Sequence, residues 1–481
     1  IVRKNTIFAR YDIKTFKMKK LLFIGALALL WGGNALAQKS ETDTDALFIK
    51  KIHDQALSDG RCYEWLSDLC RVAPGRLAGS PAAAAAVDYT RFVLDTLGLS
   101  KVWLQECKVP YWVRGDKEQV RIVNSKKMGS VDLRCLALGN SIGTGPQGLT
   151  AEVIEVRSLN EVDSLRKGVE GKIVFYNRPM DPRLTNTFAA YGGAVDQRGA
   201  GAARAGKYGA VGILVRSMTN RIDTIPHTGA MSYAPDVKPI PAIAISTADA
   251  ELLSSILKEE TARVYMRSTS RMLPEQITHN VIGEIRGSEF PDEIILVGGH
   301  LDSWDVAGGA HDDGAGCVHA MDVLRVLQRV GYQPKRTLRC VLFANEENGL
   351  VGGRTYAKVS NEKGEFHLAA IESDRGGFTP RGFTVDAEET VFADKFKQIS
   401  AWLPLLEVYG LYIRKGGSGA DIGPLKSQKG VLIGFEPDSQ RYFDFHHTPI
   451  DNMDGVNKRE LELGTATIAS LVYLLDKYGI K

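Results

Sequence analysis

The sequence predicts an α/β fold: a mixed, mostly parallel sheet sandwiched by helices, carrying a smaller β-rich α/β insert. Three observations predict it. From Glu293 to Ala357 the order strand, acidic loop, helix occurs twice in succession. The same strand–helix alternation runs from residue 276 to Lys481. Between about 130 and 270 the texture changes to short strands and small-residue helices. Residues 130–272 therefore read as a block inserted into a domain made from 38–129 and 273–481. The length of 481 residues suits two or three domains, at about 100–200 residues each.

Residues 1–17 are polar and basic without periodicity and read as an extension upstream of the true start. Met18 opens a segment with Lys19 and Lys20, an apolar run Leu21–Trp31, and Ala35-Leu36-Ala37. That is the make-up of a signal peptide over 18–37, with an apolar run short of the ~20 residues that span a bilayer. The chain is expected to be exported, to a periplasmic or extracellular place, without stable membrane insertion. Of 60 Lys/Arg and 57 Asp/Glu, residues 1–37 hold seven and one, leaving 53 against 56. The remainder is slightly acidic, which argues against a nucleic-acid surface.

Residues 45–100 have helical periodicity, with Gly98 as a stop. Val102–Val123 reads as a β-hairpin. In the insert, Gly171–Pro179 is a strand and turn, Gly199–Ser217 a small-residue helix running into a strand, and Ile240–Leu257 a strand followed by a Ser/Thr-capped helix. The GKIV strand and the AGKYGAVGILV segment resemble a protease-associated domain. Past 276, strands are expected over Ile294–Val297, Leu338–Ala344, Ala369–Ser373 and Val431–Phe435. Of the six cysteines, Cys317 and Cys340 fall on apolar positions and read as buried thiols; Cys62 and Cys70 are a candidate disulfide.

Chemistry-bearing residues follow each of these strands. They are His300 with Asp302, the pair Asp312-Asp313 before Gly-Ala-Gly, the pair Glu346-Glu347, Asp374, and His446-His447 with Asp451 beyond. In open parallel sheets, functional groups gather beyond the carboxyl ends of the strands. One rim thus receives imidazoles and carboxylates, the donor set of a nitrogen/oxygen metal site, and enough of them for two ions sharing a carboxylate. A carboxylate such as Asp302 near a ligating imidazole fixes its tautomer. Of two consecutive glutamates, one can bind metal while the other faces substrate as general base. Singly, each feature has a plainer reading: Asp313 as a helix N-cap, the glutamates as a solvated loop.

Taken as a set, GGHLDSWD, GGAHDDGAG, FANEENGLVGG, ESDRGG, GGSGAD and FHHTPID resemble the co-catalytic zinc exopeptidases of the aminopeptidase S and carboxypeptidase Q family, most of all the carboxypeptidase Q branch. The resemblance covers essentially the whole chain after residue 37. It implies the zinc-exopeptidase fold, two Zn²⁺ per chain and a peptide or dipeptide substrate. One zinc would take His300 and Asp374, the other Glu347 and His447, with Asp312 bridging. It further implies Glu346 as general base, Asp302 as the group orienting His300, and a cis peptide between Asp312 and Asp313. His446 stands where some relatives have a tyrosine that contacts the oxyanion; it is the candidate donor here. His311 is expected on the surface or just behind the ligands. The loop Gly416–Asp421 is expected to line the pocket; Arg375, Arg414 and Lys415 are candidate partners for a substrate carboxylate, with a solvated surface place as the plainer reading of each. Homodimerisation rests on the resemblance alone. Other functions the scaffold could carry are a non-catalytic receptor or a deacylase of amino-acid conjugates.

Overall fold

The computed structural model describes residues 42–481; the expected signal peptide at 18–37 lies outside them. Among the described residues no helix is long and apolar enough to cross a membrane. After a helix over residues 42–58, helices over Cys62–Val72 and Pro81–Asp95 precede the first strand. Ser80 caps the second by accepting a hydrogen bond from the Ala83 amide, with Pro81 at its first turn. Gly98 adopts the left-handed conformation after it.

Sixteen strands follow: β1 (Lys101–Val113), β2 (Gln119–Ser125), β3 (Gly129–Leu133), β4 (Cys135–Ala137), β5 (Leu149–Val156), β6 (Ile173–Tyr176), β7 (Gly212–Arg216) and β8 (Ala242–Ile245), then β9 (Arg263–Arg267), β10 (Arg271–Ile285), β11 (Phe290–His300), β12 (Arg336–Phe343), β13 (Phe366–Glu372), β14 (Pro380–Ala387), β15 (Tyr412–Lys415) and β16 (Val431–Pro437). They form two mixed sheets. The first has the order β1-β10-β12-β11-β13-β16-β14-β15, the second β3-β2-β9-β5-β6-β7-β8-β4.

In the first sheet β12, β11, β13 and β16 lie side by side and parallel. Antiparallel neighbours flank them, β10 on β12 and β14 on β16. Side chains alternate across a strand. Ile294 and Leu296 face a cluster with Tyr356 and Ala357 of the helix Val351–Glu362. The opposite face is covered by the helices Ala315–Arg329 and Lys458–Tyr478, which pack on each other and are buried along most of their length. Helices thus cover both faces, as a sheet buried on two sides requires.

The expected hairpin over Val102–Val123 does not form. Strand β1 pairs antiparallel with β10, in register from Lys101 opposite Glu284 to Val113 opposite Arg271. Strand β2 belongs to the second sheet, between β3 and β9. The chain therefore leaves the first sheet at Val113 and re-enters it directly opposite, at Arg271. The second sheet spans Gln119–Arg267 and begins ahead of the expected 130. Alternation in sequence says which face of a strand is buried, not which strand it will pair with. That second sheet also has eight strands, most of them short, with apolar clusters on both faces.

Two contacts fix the second sheet over the first. Arg114 forms a bidentate pair with Asp305, just past β11, and also binds Glu118 of the second unit of structure. Phe443 and Phe445, from the segment after β16, are buried in the same apolar cluster as Tyr176, Ala190 and Val215 of the insert. Each such phenyl contributes on the order of 1.5–3 kcal/mol. The residues that immediately precede His446 are thus held by the insert's core.

All six cysteines are free. Cys62 and Cys70 lie on one helix, eight positions apart, a rise of about 12 Å, which no disulfide spans. Cys317 and Cys340 are fully buried, as expected.

Candidate metal centre

Because β12, β11, β13 and β16 are parallel neighbours, their carboxyl ends deliver His300, Glu346-Glu347, Asp374 and His446-His447 to one rim. Strand β11 runs on to His300 itself, so this imidazole stands on the sheet rather than on a loop. Asp312 arrives from the turn ahead of Ala315–Arg329, and its peptide bond to Asp313 is cis.

Asp312 is central. One carboxylate oxygen is 3.3 Å from His300 Nε2 and the other is 3.2 Å from His447 Nε2. Asp374 stands 3.5 Å from His300 Nε2, and Glu347 stands 3.2 Å from His447 Nε2. The other ring nitrogens face carbonyls: His300 Nδ1 is 3.0 Å from its neighbour's, that of Asp302, and His447 Nδ1 is 3.3 Å from that of Thr228. Each Nδ1 is thus held as a donor, which leaves Nε2, facing the carboxylates, to carry either a proton or a metal ion. A bare Nε2 lone pair against a carboxylate is repulsive unless a cation lies between. Asp312 Oδ2 and Glu347 Oε1 are buried without a hydrogen-bond donor, an unfavourable state that coordination relieves. Two groups of ligand atoms here, one around His300 and one around His447, are close enough to hold an ion, with Asp312 common to both. The residues thus fit two cations sharing one carboxylate. His446 can also reach the second position, but its Nε2 is 3.9 Å from Asp312.

The supporting contacts differ in part from expectation. The Asp302 carboxylate is 3.9 Å from His300 Nδ1, too far to orient it. Instead it accepts the backbone N–H groups of Glu346 at 3.0 Å and Glu347 at 3.3 Å. It is a clamp on the acidic loop after β12, and the carbonyl of the same residue orients His300. Burial raises its pKa, and His300 and the two amides work against that rise. Asp313 accepts the N–H groups of His300 and Gly316, each at 3.0 Å, joining the strand end to the start of the helix. Its role includes the N-cap reading. Asp451 accepts the amides of His311 and Asp312 and so positions the central carboxylate. His311 is not on the surface: it is fully buried, stacked on Phe378 at 4.1 Å, and accepts the Gly377 amide.

Electrostatics separate the groups. Burial works against charge on His300 and His447, but the carboxylates outweigh it, and His447 is raised to about 9. Burial would raise Asp312, yet His300 and His447 hold it well below the usual carboxylate range. Burial raises Glu347 to about 7 and drives Glu346 well above its ordinary value. Glu346 faces the cavity without pairing to either histidine. His446 is stacked 3.5 Å from His447 among Tyr191, Tyr442 and Phe443; burial keeps it neutral.

These groups open on a cavity of about 450 Å³, the size of a small-molecule site. Eight of its twenty lining residues come from the second sheet's unit, including Tyr191, Arg198 and Ser232. Sequence reasoning missed these, because a lone arginine among glycines and alanines carries no motif. The three candidate carboxylate partners and the loop Gly416–Asp421 lie outside this cavity. Arg375 and Arg414 are bound to the Glu436 carboxylate, and Lys415 lies over the Phe392 ring. The loop Gly416–Asp421 packs behind β13, where the Ala420 and Ile422 amides bind Glu372.

Residues 280–472 match peptidase family M28. The chain is 33% identical to carboxypeptidase Q of Bos taurus, over 87% of its length and 86% of the relative's. The chain belongs to peptidase family M28. A solved M28 peptidase precursor from Shewanella amazonensis superposes with a TM-score of 0.85 at 32% identity, covering 92% of this chain and 99% of that one. A zinc aminopeptidase from Bacillus subtilis shares the fold, with a TM-score of 0.61 at 20% identity over 88% of this chain and 96% of that one. This M28 chain is a metallopeptidase.

Proposed function

We propose that this chain is an exported di-zinc exopeptidase that hydrolyses dipeptides or short peptides, with residues 18–37 as its export signal and the second sheet as a protease-associated insert. The observation that carries the reading is the Asp312 carboxylate, one oxygen toward each of two imidazoles whose Nε2 atoms also face Asp374 and Glu347. His300 and Asp374 would hold one zinc, His447 and Glu347 the other, and Asp312 both. Bound there, the zinc ions supply Lewis acidity, which makes a water acidic and polarises the scissile carbonyl.

The chain's own groups do the rest. Glu346, on the cavity wall, takes the proton from the attacking water and passes it to the leaving amine. Its raised affinity for protons, set first by burial, suits both halves of that transfer. Asp302 holds the backbone of Glu346 and Glu347. His446, neutral and with Nδ1 unpartnered, is available to donate toward the developing oxyanion.

The test is a panel of free, N-blocked and C-blocked dipeptides, assayed with the metal-free and zinc-loaded protein. Zinc-dependent release of single residues, with two zinc ions per chain, is expected. Cleavage only within long unfolded chains, or equal turnover without metal, overturns the reading.

A further inference from the structure

The two metal positions are not supported alike. The groups that aim the His300 position come from the first sheet's own unit. His300 Nδ1 faces the carbonyl of Asp302, two residues on, while Asp313 and Asp451 hold the strand end and the turn that carries Asp312. The His447 position is held across units. With a metal ion on Nε2, Nδ1 keeps the ring's proton. The acceptor in reach is the Thr228 carbonyl of the insert, 3.3 Å away; Arg198 Nη1, at 3.5 Å, is itself a donor. Thr228 also donates its own amide to the His447 carbonyl at 2.9 Å. His447 has a φ of +61°, in the left-handed region that residues with a Cβ seldom adopt without support. The other ligand of this position is braced as well. Asn348, beside Glu347, donates its side-chain amide to the Asn140 side chain of the insert at 3.2 Å.

The Thr228 segment is fixed within the insert and seated on the first unit. Thr228 is fully buried, and its hydroxyl donates to the Ala137 carbonyl at 2.8 Å. The Gly139 amide donates to the Gly229 carbonyl at 3.0 Å, and the Met231 amide to the Gly139 carbonyl at 3.1 Å. Arg114, which pairs with Asp305 of the first unit, reaches the Thr228 hydroxyl at 3.4 Å. A Cβ on Gly139 would lie 1.9 Å from the Trp304 ring, which itself meets His447 edge-on at 5.6 Å. A Cβ on Gly229 would lie 2.7 Å from His447 Nδ1, at a φ of +134°. Glycine at both places lets the insert's backbone come this close.

We propose that the insert positions one metal ion and not the other. Thr228 sets the Nδ1 proton and the backbone of His447. The ion held by His447 and Glu347 therefore binds tightly only while the insert is seated, and in turn holds the insert over the cavity. The two effects are one coupling free energy seen from either side. The inference rests on the two-metal reading above and goes beyond it: the ion at His300 and Asp374 is independent of the insert.

The experiment measures zinc affinities by competition with a chelator, with metal counted by mass spectrometry. The proteins are the wild type, Gly229→Ala, Asp305→Asn, Glu347→Gln, and Gly229→Ala combined with Glu347→Gln. Gly229→Ala drives the Thr228 segment off His447, and Asp305→Asn loosens Arg114 from outside the cavity. Each should weaken one of the two ions, Gly229→Ala by roughly 10- to 100-fold, and leave the other within about threefold. Glu347→Gln should bind one ion, and adding Gly229→Ala should change that ion's affinity by less than about threefold. Hydrogen exchange reads the reciprocal effect. In the wild type the second equivalent of zinc should slow exchange of the Gly139, Thr228 and Met231 amides; in Glu347→Gln zinc should leave them unchanged. Equal weakening of both ions, weakening of neither, or the same zinc-induced protection with and without Glu347 overturns the inference. If Gly229→Ala does not fold, Asp305→Asn and the exchange comparison decide. Failure of the two-metal reading itself would look different, as fewer than two zinc ions bound by the wild type.

Discussion

Replacing Asp302 by Asn tests how the acidic loop is held. The wild-type carboxylate is 3% exposed and accepts two backbone amides, from Glu346 at 3.0 Å and from Glu347 at 3.3 Å. An asparagine keeps one carbonyl oxygen and places an NH₂ where the second acceptor stood. One charge-assisted hydrogen bond, roughly 1.5–3 kcal/mol, is lost. The desolvation cost of the buried charge disappears with it, so net stability should change by only about 1–2 kcal/mol. The loop, not the fold, absorbs the change. The backbone carbonyl that orients His300 is unaltered, so the His300 position should survive. A small displacement of a general base is costly, and we expect kcat to fall about 10- to 100-fold at saturating zinc. Zinc affinity should weaken chiefly at the position shared by Glu347 and His447. The assay is steady-state kinetics against added zinc, with metal counted by mass spectrometry. Full recovery of kcat at high zinc, or selective loss of the ion at His300, would show that Asp302 acts through the histidine and refute the clamp.

Glu346→Gln should keep two zinc ions and lose about 10²- to 10⁴-fold in kcat; near-full activity with metal bound would remove Glu346 from the proton transfer. Arg414→Ala should leave KM for free dipeptides unchanged, because Arg414 is bound to Glu436; a large rise in KM would reinstate it as a substrate contact. Burial lowers His319 and His367 to about 4 in the fold. Both are neutral when folded and bind protons when unfolded, at about 6.5. Stability they contribute above pH 6.5 is therefore lost as pH falls toward 4, by about 2 kcal/mol each between pH 7 and 5. Urea unfolding at those two pH values should show it, and His367→Gln should flatten the slope; an unchanged slope would mean His367 is not the group titrating.

The strand ends were legible because buried parallel strands are continuous apolar runs. His300, Asp312, Glu346, Glu347, Asp374 and His447 each stand just where such a run stops or in the turn beyond it. The misreadings have a common cause. Val102–Val123 looks like a hairpin because alternation is local, whereas β1 finds its partner at Arg271–Ile285 and β2 finds Arg263–Arg267. Arg375 and Arg414 look like free cations because Glu436, which neutralises both, is distant in sequence. His311 stays open between the surface and a place just behind the ligands because the ring that stacks on it and decides for the second, Phe378, belongs to another strand connection.

By itself, then, the sequence determined the α/β class, the delivery of histidines and carboxylates to one rim, and the family kinship. Those properties follow from local periodicity and from residue types that metals and proton transfer require. Tertiary structure alone decided that Asp312 turns one oxygen to each histidine, that Asp302 grips the backbone of Glu346 and Glu347, and that Arg198 enters the cavity from the insert. Each is a matter of direction and distance between residues far apart in the chain. The parallel alignment of the first sheet's central strands sets the first two, with Asp451 holding the turn that carries Asp312, and the packing of the second sheet over their carboxyl ends sets the third.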